Sequence, residues 1–284
     1  MFWVSFLELL ELIKKGFKVK GFIYVIIGNI VNAGLGFLFF FMAARILGVE
    51  RYGIVSYNVS AGFLGVTLSI LGLTTAITTF YPKERDISFV RQAATFAFLM
   101  DFISSIVVLA AVIFFAAPLL PAILIIFGGT AYNISIYFLL GRQEYKQYAY
   151  IVIGMRVGQC ALLTLFYFFV AFTGWFLLWL EEGVLLVYSL AYLAAGYRYF
   201  KLLNFNFSFR EVYAKWKFCL PAAVSSVFTA SIGSLDKVMI GSIFGMYALG
   251  NYHLAFQFLS GFMIVPMSLF NFLLPEKSGG EVRR

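Results

Sequence analysis

Ala44–Tyr57 reads ARILGVERYGIVSY. Uncharged sequence flanks it on both sides, from Gly21 to Ala44 and from Tyr52 to Pro82. Each run reaches the roughly 20 residues a helix needs to cross the hydrocarbon core of a bilayer. Arg45, Glu50 and Arg51 place charge between the runs, and Gly48 and Gly53 sit beside them. The stretch is therefore a hinge at a membrane surface, joining two crossings. Gly241–Leu254, GSIFGMYALGNYHL, repeats the pattern near the other end. Ile46-Leu47-Gly48 aligns with Ile243-Phe244-Gly245, and Gly53 aligns with Gly250, at one constant offset.

Composition agrees with this reading. Hydrophobic residues make up 62% of the 284 and charged residues 12%. A soluble domain carries about 25% charge. Inside a bilayer the backbone must satisfy its own hydrogen bonds, which leaves helix bundles and closed barrels. The apolar runs are helix-length and lack the alternating ten-residue pattern of a barrel. The sequence thus predicts an all-α polytopic membrane protein with about eight transmembrane helices.

The spans fall at residues 21–44, 52–80, 92–116, 122–141, 148–172, 183–199, 218–235 and 248–274. Proline is expected to interrupt the helix at three places: the Pro118-Leu119-Leu120-Pro121 turn, Pro221 early in span seven, and Pro275 at the start of a short tail. Trp175 and Trp179 mark an interface. Residues 1–20 follow helical spacing, with Phe2, Phe6, Leu9, Leu10 and Ile13 on one face, and read as an amphipathic helix on the cytoplasmic surface.

Charge sets the orientation. Of 21 Lys and Arg, only Arg45, Arg51 and Lys237 fall on one side of this layout, and Arg156 lies within a span. All the others flank the opposite ends, which makes that side cytoplasmic. Both termini are then cytoplasmic. The net charge of +8 reflects topology, and no nucleic acid is implied. Cys160 and Cys219 offer neither a disulfide frame nor a metal site.

The repeat extends beyond the hinges. Lys18-Val19-Lys20 aligns with Lys215-Trp216-Lys217, and Tyr81-Pro82-Lys83-Glu84 aligns with Leu274-Pro275-Glu276-Lys277 after a four-residue gap. Spans seven and eight therefore copy spans one and two in the same orientation, as in transporters built from parallel repeats. The expected organisation is a six-helix lobe (21–200), a cytoplasmic linker (201–217) and the first two helices of a second lobe (218–284).

Ala44-Arg45-Ile46-Leu47-Gly48, with Tyr52-Gly53 following, resembles the polysaccharide-export flippases of the multidrug/oligosaccharidyl-lipid/polysaccharide superfamily. So does Asp236-Lys237-Val238-Met239-Ile240-Gly241 with Gly245 after it. The resemblance implies a cell-membrane flippase for a polyprenyl-diphosphate-linked glycan, working by alternating access. The family's last helices are absent, so a second chain could supply them. A multidrug or cation antiporter of the same superfamily is the alternative within this architecture. A truncated, non-transporting component of glycan synthesis is the alternative outside it. No paired carboxylates or ATP-binding loop suggest an enzyme, so catalytic residues, cofactor and metal are all expected to be none.

Candidate site residues are the polar groups inside spans, which are costly there and often functional. Asp101 and Arg156 lie at similar depth and are candidates for an intramembrane ion pair. Asp101 would answer to a coupling H+ or Na+. Asn29 and Asn32 on span one, with Ser225, Ser226 and Thr229 on span seven, are candidates for the walls of a wet cavity. Packing through small and polar residues is the other reading. Arg45, Arg51, Asp236 and Lys237 could border its outer mouth, where arginine suits a diphosphate. His253 and Gln257, one turn apart, could face it from span eight. Membrane lipid is the surrounding partner.

Overall fold

A computed structural model describes residues 19–115, 121–173, 179–202 and 208–280. The expected amphipathic helix lies, except for its last two residues, outside these, as does Trp175. Regular structure among the described residues is entirely helical. The long helices are α1 (Val19–Leu47), α2 (Val49–Ile70), α3 (Leu73–Glu84), α4 (Ile87–Phe115), α5 (Ala122–Gly141), α6 (Tyr145–Thr173) and α7 (Leu180–Ala195). Short α8 (Tyr197–Leu202) and α9 (Arg210–Ala214) lead into α10 (Trp216–Ala230), α11 (Asp236–Phe244), α12 (Met246–Ser260) and α13 (Ile264–Gly280). Six helical stretches are long and apolar enough to cross a membrane: 20–47, 49–70, 87–110, 122–141, 145–172 and 216–244. The protein is an all-α polytopic membrane protein.

Burial separates inner helices from lipid-facing ones. About 72% of the apolar windows of α2 and of α5 is buried, against 28% for α1 and 22% for α6. The α2–α5 contact is close because small residues receive large ones from both sides. A Cβ on Gly62 or Gly65 of α2 would lie 2.6 Å from a side-chain carbon of Ile125 or Ile126 on α5. A Cβ on Gly129 of α5 would lie 2.6 Å from Val66 of α2. Without a hydrophobic drive between helices in lipid, such close packing supplies much of the association energy.

The hinges take one unusual backbone shape twice. Gly48 has φ 77° and ψ 165°, and Gly245 has φ 86° and ψ 169°. This region is essentially open to glycine alone. Each glycine ends one helix and starts the next, so the turn is a single residue. The two copies also meet reciprocally. A Cβ on Gly53 would overlap the Met246 carbonyl, and a Cβ on Gly250 would overlap the Val49 carbonyl. Each residue meets the other's equivalent, as a two-fold relation requires.

Five expectations about breaks and ends need correction. Span two is interrupted at Leu71 and Gly72, both left-handed (φ 45° and 75°). A Cβ on Gly72 would lie 2.5 Å from the Cys219 carbonyl oxygen, so the break lets α10 approach. Pro221 does not break span seven; α10 runs through it, and the irregularity is a π-helical turn at Ser231–Leu235. The helix then continues to Phe244, not Leu235, which carries Asp236 and Lys237 inside the span. Span eight is interrupted by a 3-10 turn at Gly261–Met263, and Pro275 sits within α13 instead of ending it.

Candidate functional site

A cavity of about 560 Å³ lies between the first hinge pair and its copy. That volume falls within the range of small-ligand pockets, roughly 300–1,000 Å³. The α2 helix supplies Thr67, and α3 supplies Thr74, Thr75 and Thr78. The opposite wall is Ser225, Ser226 and Thr229 of α10 with Ser234 of the π turn. Asn133 and Tyr137 of α5 and Asn271 of α13 complete the polar lining, among apolar residues such as Ile70 and Met267. No charged side chain lines it among the described residues.

Many of these polar groups already donate to their own helix. Thr67 Oγ1 donates to the Phe63 carbonyl (2.9 Å), Ser226 Oγ to Ala222 (2.9 Å) and Thr229 Oγ1 to Ser225 (3.0 Å). Thr78 Oγ1 reaches the carbonyls of Thr74 and Thr75, and Asn133 Nδ2 donates to Gly129 (2.8 Å). A hydroxyl whose proton is so engaged keeps its acceptor lone pairs.

The structure thus brings Ser225, Ser226 and Thr229 to the cavity but not Asn29 or Asn32. Asn29 ties three helices: its Nδ2 donates to Ser268 Oγ of α13 (2.9 Å), and its Oδ1 accepts from Tyr148 of α6 (2.8 Å). Asn32 Oδ1 accepts from Arg156 Nε at 2.8 Å. Arg156 also donates to Gln159 Oε1 (2.8 Å). Asp101 is fully buried and accepts from Thr130 on α5 at 2.7 Å. Asp101 and Arg156 therefore do not pair. Each side chain points toward a different neighbour.

The outer groups also part company. Arg45 is exposed in the last turn of α1, and Arg51 lies 3.7 Å from Glu181 at the start of α7. Lys237 is 2% exposed, eight residues short of Gly245, or about 12 Å into the helix. Its Nζ donates to the Gly233 carbonyl, lies 3.5 Å from Asp236 Oδ1 and sits 3.4 Å from the centre of the Phe256 ring. Asp236 Oδ2 in turn accepts from Tyr252 at 2.6 Å. These two charges are packed within the second copy of the repeat and do not line the cavity. Neither do His253 and Gln257. His253 Nδ1 lies 2.7 Å from Tyr52 Oη and 2.8 Å from Ser56 Oγ, and Gln257 Nε2 lies 3.0 Å from its Nε2.

The reading from sequence missed the threonine wall. Its signal was present: Thr67, Ile70, Thr74 and Thr78 are spaced i, i+3, i+7 and i+11, one face of a helix. Groups of three or more His, Cys, Asp or Glu poised for a metal do not occur among the described residues.

Fold and cavity together define a multi-pass helical membrane protein with an uncharged polar chamber between repeated helix pairs. The family described as polysaccharide biosynthesis protein matches residues 18–273, and the chain belongs to it. It is also 25% identical over 274 residues to an uncharacterized membrane protein of Methanocaldococcus jannaschii, covering 82% of this chain and 61% of that protein. The chain therefore spans about three fifths of the curated relative it matches. No solved structure matches it. As a multi-pass member of this family it resides in the cell membrane.

Proposed function

We propose that the chain forms the working core of a flippase for lipid-linked oligosaccharide or polysaccharide precursors. One observation carries the reading: the cavity is walled on one side by α2 and α3 of the first repeat copy and on the other by α10 and α13 of the second. Rocking of one copy against the other would expose such a chamber to each membrane face in turn. The polar glycan would cross through the chamber while the lipid tail stays in the bilayer. The family match supports the glycan pathway. A multidrug or cation antiporter is disfavoured, because the lining offers no carboxylate to hold a cation.

The six-helix unit of 21–200 is read as one lobe and 218–284 as part of the second. Only 11% of the apolar window in 216–244 is buried, against 28% for its counterpart α1. Gly233 has nothing within 4 Å of a built Cβ, whereas its counterpart Gly36 meets the Arg156 guanidinium of α6. Further helices, in one chain with this one or in a partner, are therefore expected to cover α10 and α11 as α6 covers α1.

The test is flipping of a fluorescent polyprenyl-diphosphate trisaccharide in proteoliposomes, read as loss of fluorescence to an external quencher. The protein is assayed alone and together with any chain encoded beside it. Flipping above protein-free vesicles supports the proposal; flipping in neither arrangement rejects it.

A further inference from the structure

We infer that the cavity selects uncharged, hydroxyl-rich sugars and rejects glycans bearing carboxylate, sulfate or phosphate on the sugar. This deepens the flippase reading and rests on the cavity being the path of the glycan. Eleven hydroxyl or amide side chains line the chamber and none is charged. Thr67, Thr78, Ser226, Thr229 and Asn133 spend donor protons on carbonyls of their own helices. What they present inward is largely acceptor oxygen. A sugar hydroxyl brings the missing proton and is satisfied there. An anionic group brings more acceptors and meets neutral donors but no cation in the lining, and a buried charge without a charged partner is costly.

Three of the least exposed cations are already committed. Lys237 is held by the Gly233 carbonyl and Asp236, Arg156 by Asn32 and Gln159, and Lys215 by Glu84. Turning any of them into the chamber would break a buried or partly buried contact. The diphosphate of a lipid carrier is common to every cargo and gives no discrimination between glycans.

The test uses two matched polyprenyl-diphosphate trisaccharides, one of three neutral hexoses and one whose terminal hexose is oxidised to a hexuronate. Binding is read as protection of Ser225→Cys from a maleimide, in a protein carrying Cys160→Ser and Cys219→Ala. Flipping is measured in parallel in proteoliposomes. The neutral trisaccharide should protect at concentrations at least about tenfold lower than the uronate, the ratio for one poorly compensated charge. Thr229→Arg should narrow or reverse that ratio. Equal protection by the two probes, stronger protection by the uronate, or protection by neither overturns the inference. Selective protection without flipping, by the protein alone and with any chain encoded beside it, upholds the inference and rejects the flippase reading. If Thr229→Arg does not fold, the comparison of the two probes on the threonine protein decides alone.

Discussion

Ser56 and His253 occupy the same place in two copies of one motif and hydrogen-bond to each other, Oγ to Nδ1, across 2.8 Å. Ser56 follows Gly48 by as many residues as His253 follows Gly245. Equivalent positions can touch only where they lie beside the axis that relates the copies. The pair therefore marks that axis between α2 and α12. Gln257 Nε2 faces His253 Nε2, so with the amide so placed the ring proton lies on Nδ1. That proton is shared between Ser56 Oγ and Tyr52 Oη.

The sharing predicts a non-additive pair. Ser56→Ala leaves the histidine proton with Tyr52, and Tyr52→Phe leaves it with Ser56. Each single change should cost about 1 kcal/mol, the net worth of one hydrogen bond. The double change strands a buried N–H and should cost roughly 1–3 kcal/mol beyond the sum of the two. Thermal unfolding of the four proteins in detergent measures this. Simple additivity would mean that the two oxygens do not share the proton.

The glycines of the repeat should fall into two classes. Gly53 and Gly250 need absent side chains, because each abuts the other copy's backbone. Gly53→Ala and Gly250→Ala should lower stability alike, by roughly 1–3 kcal/mol or enough to prevent folding, as overpacking does. Gly48 and Gly245 have open space around them but a backbone shape closed to alanine. Gly48→Ala and Gly245→Ala should also match each other, at about 1–3 kcal/mol of conformational strain. Matched effects within each class, read as unfolding temperature or yield of monodisperse protein, are the signature of the two-fold relation.

Asp101 and Arg156 should behave as strangers. Their hydrogen-bond partners differ: Asp101 takes the Thr130 hydroxyl, and Arg156 takes Asn32 and Gln159. A double-mutant cycle of Asp101→Asn with Arg156→Gln should give coupling within about 0.5 kcal/mol of zero. The cycle of Arg156→Gln with Asn32→Ala should give about 0.5–3 kcal/mol. Strong coupling in the first cycle would restore the ion pair suggested by depth alone.

These residues also explain what the sequence could and could not disclose. The hinge and its copy were legible because a one-residue turn at φ near 80° admits glycine and little else, so the geometry is written in residue type. Ser225, Ser226 and Thr229 were legible as cavity groups because hydroxyls clustered on an apolar helix ask for a polar neighbour. Asn29 and Asn32 make the same request and are answered by Ser268, Tyr148 and Arg156 instead. A polar side chain in a span declares a need but not its address. Lys237 was misplaced for another reason. Counting apolar residues ended span seven at Leu235, but the π turn and the aromatic face of Phe256 let the helix carry a lysine onward to Phe244. The break at Leu71–Gly72 left no mark either, since both residues belong to an unbroken apolar run.

Two ties hold the copies together at the end rich in lysine and arginine, and they predict a gate. Lys215, at the start of α10, pairs with Glu84 at the end of α3, with its Nζ 4.2 Å from the centre of the Phe89 ring. Tyr145, at the start of α6, donates to Glu276 of α13 at 2.8 Å. Both contacts bridge the first copy or its lobe to the second, and both must part if the cavity is to open on that side. The Glu84 end of the first tie is half exposed to solvent, and a pair so screened is worth about 0–1 kcal/mol. Glu84→Gln should therefore leave the unfolding temperature within a few degrees of the parent while raising labelling of Ser225→Cys from the basic side. Linking Glu84→Cys to Lys215→Cys with a short bis-maleimide, in the protein lacking Cys160 and Cys219, should abolish flipping in proteoliposomes. A reducible linker should restore it on reduction. Undiminished flipping in the fully linked protein would place the opening elsewhere.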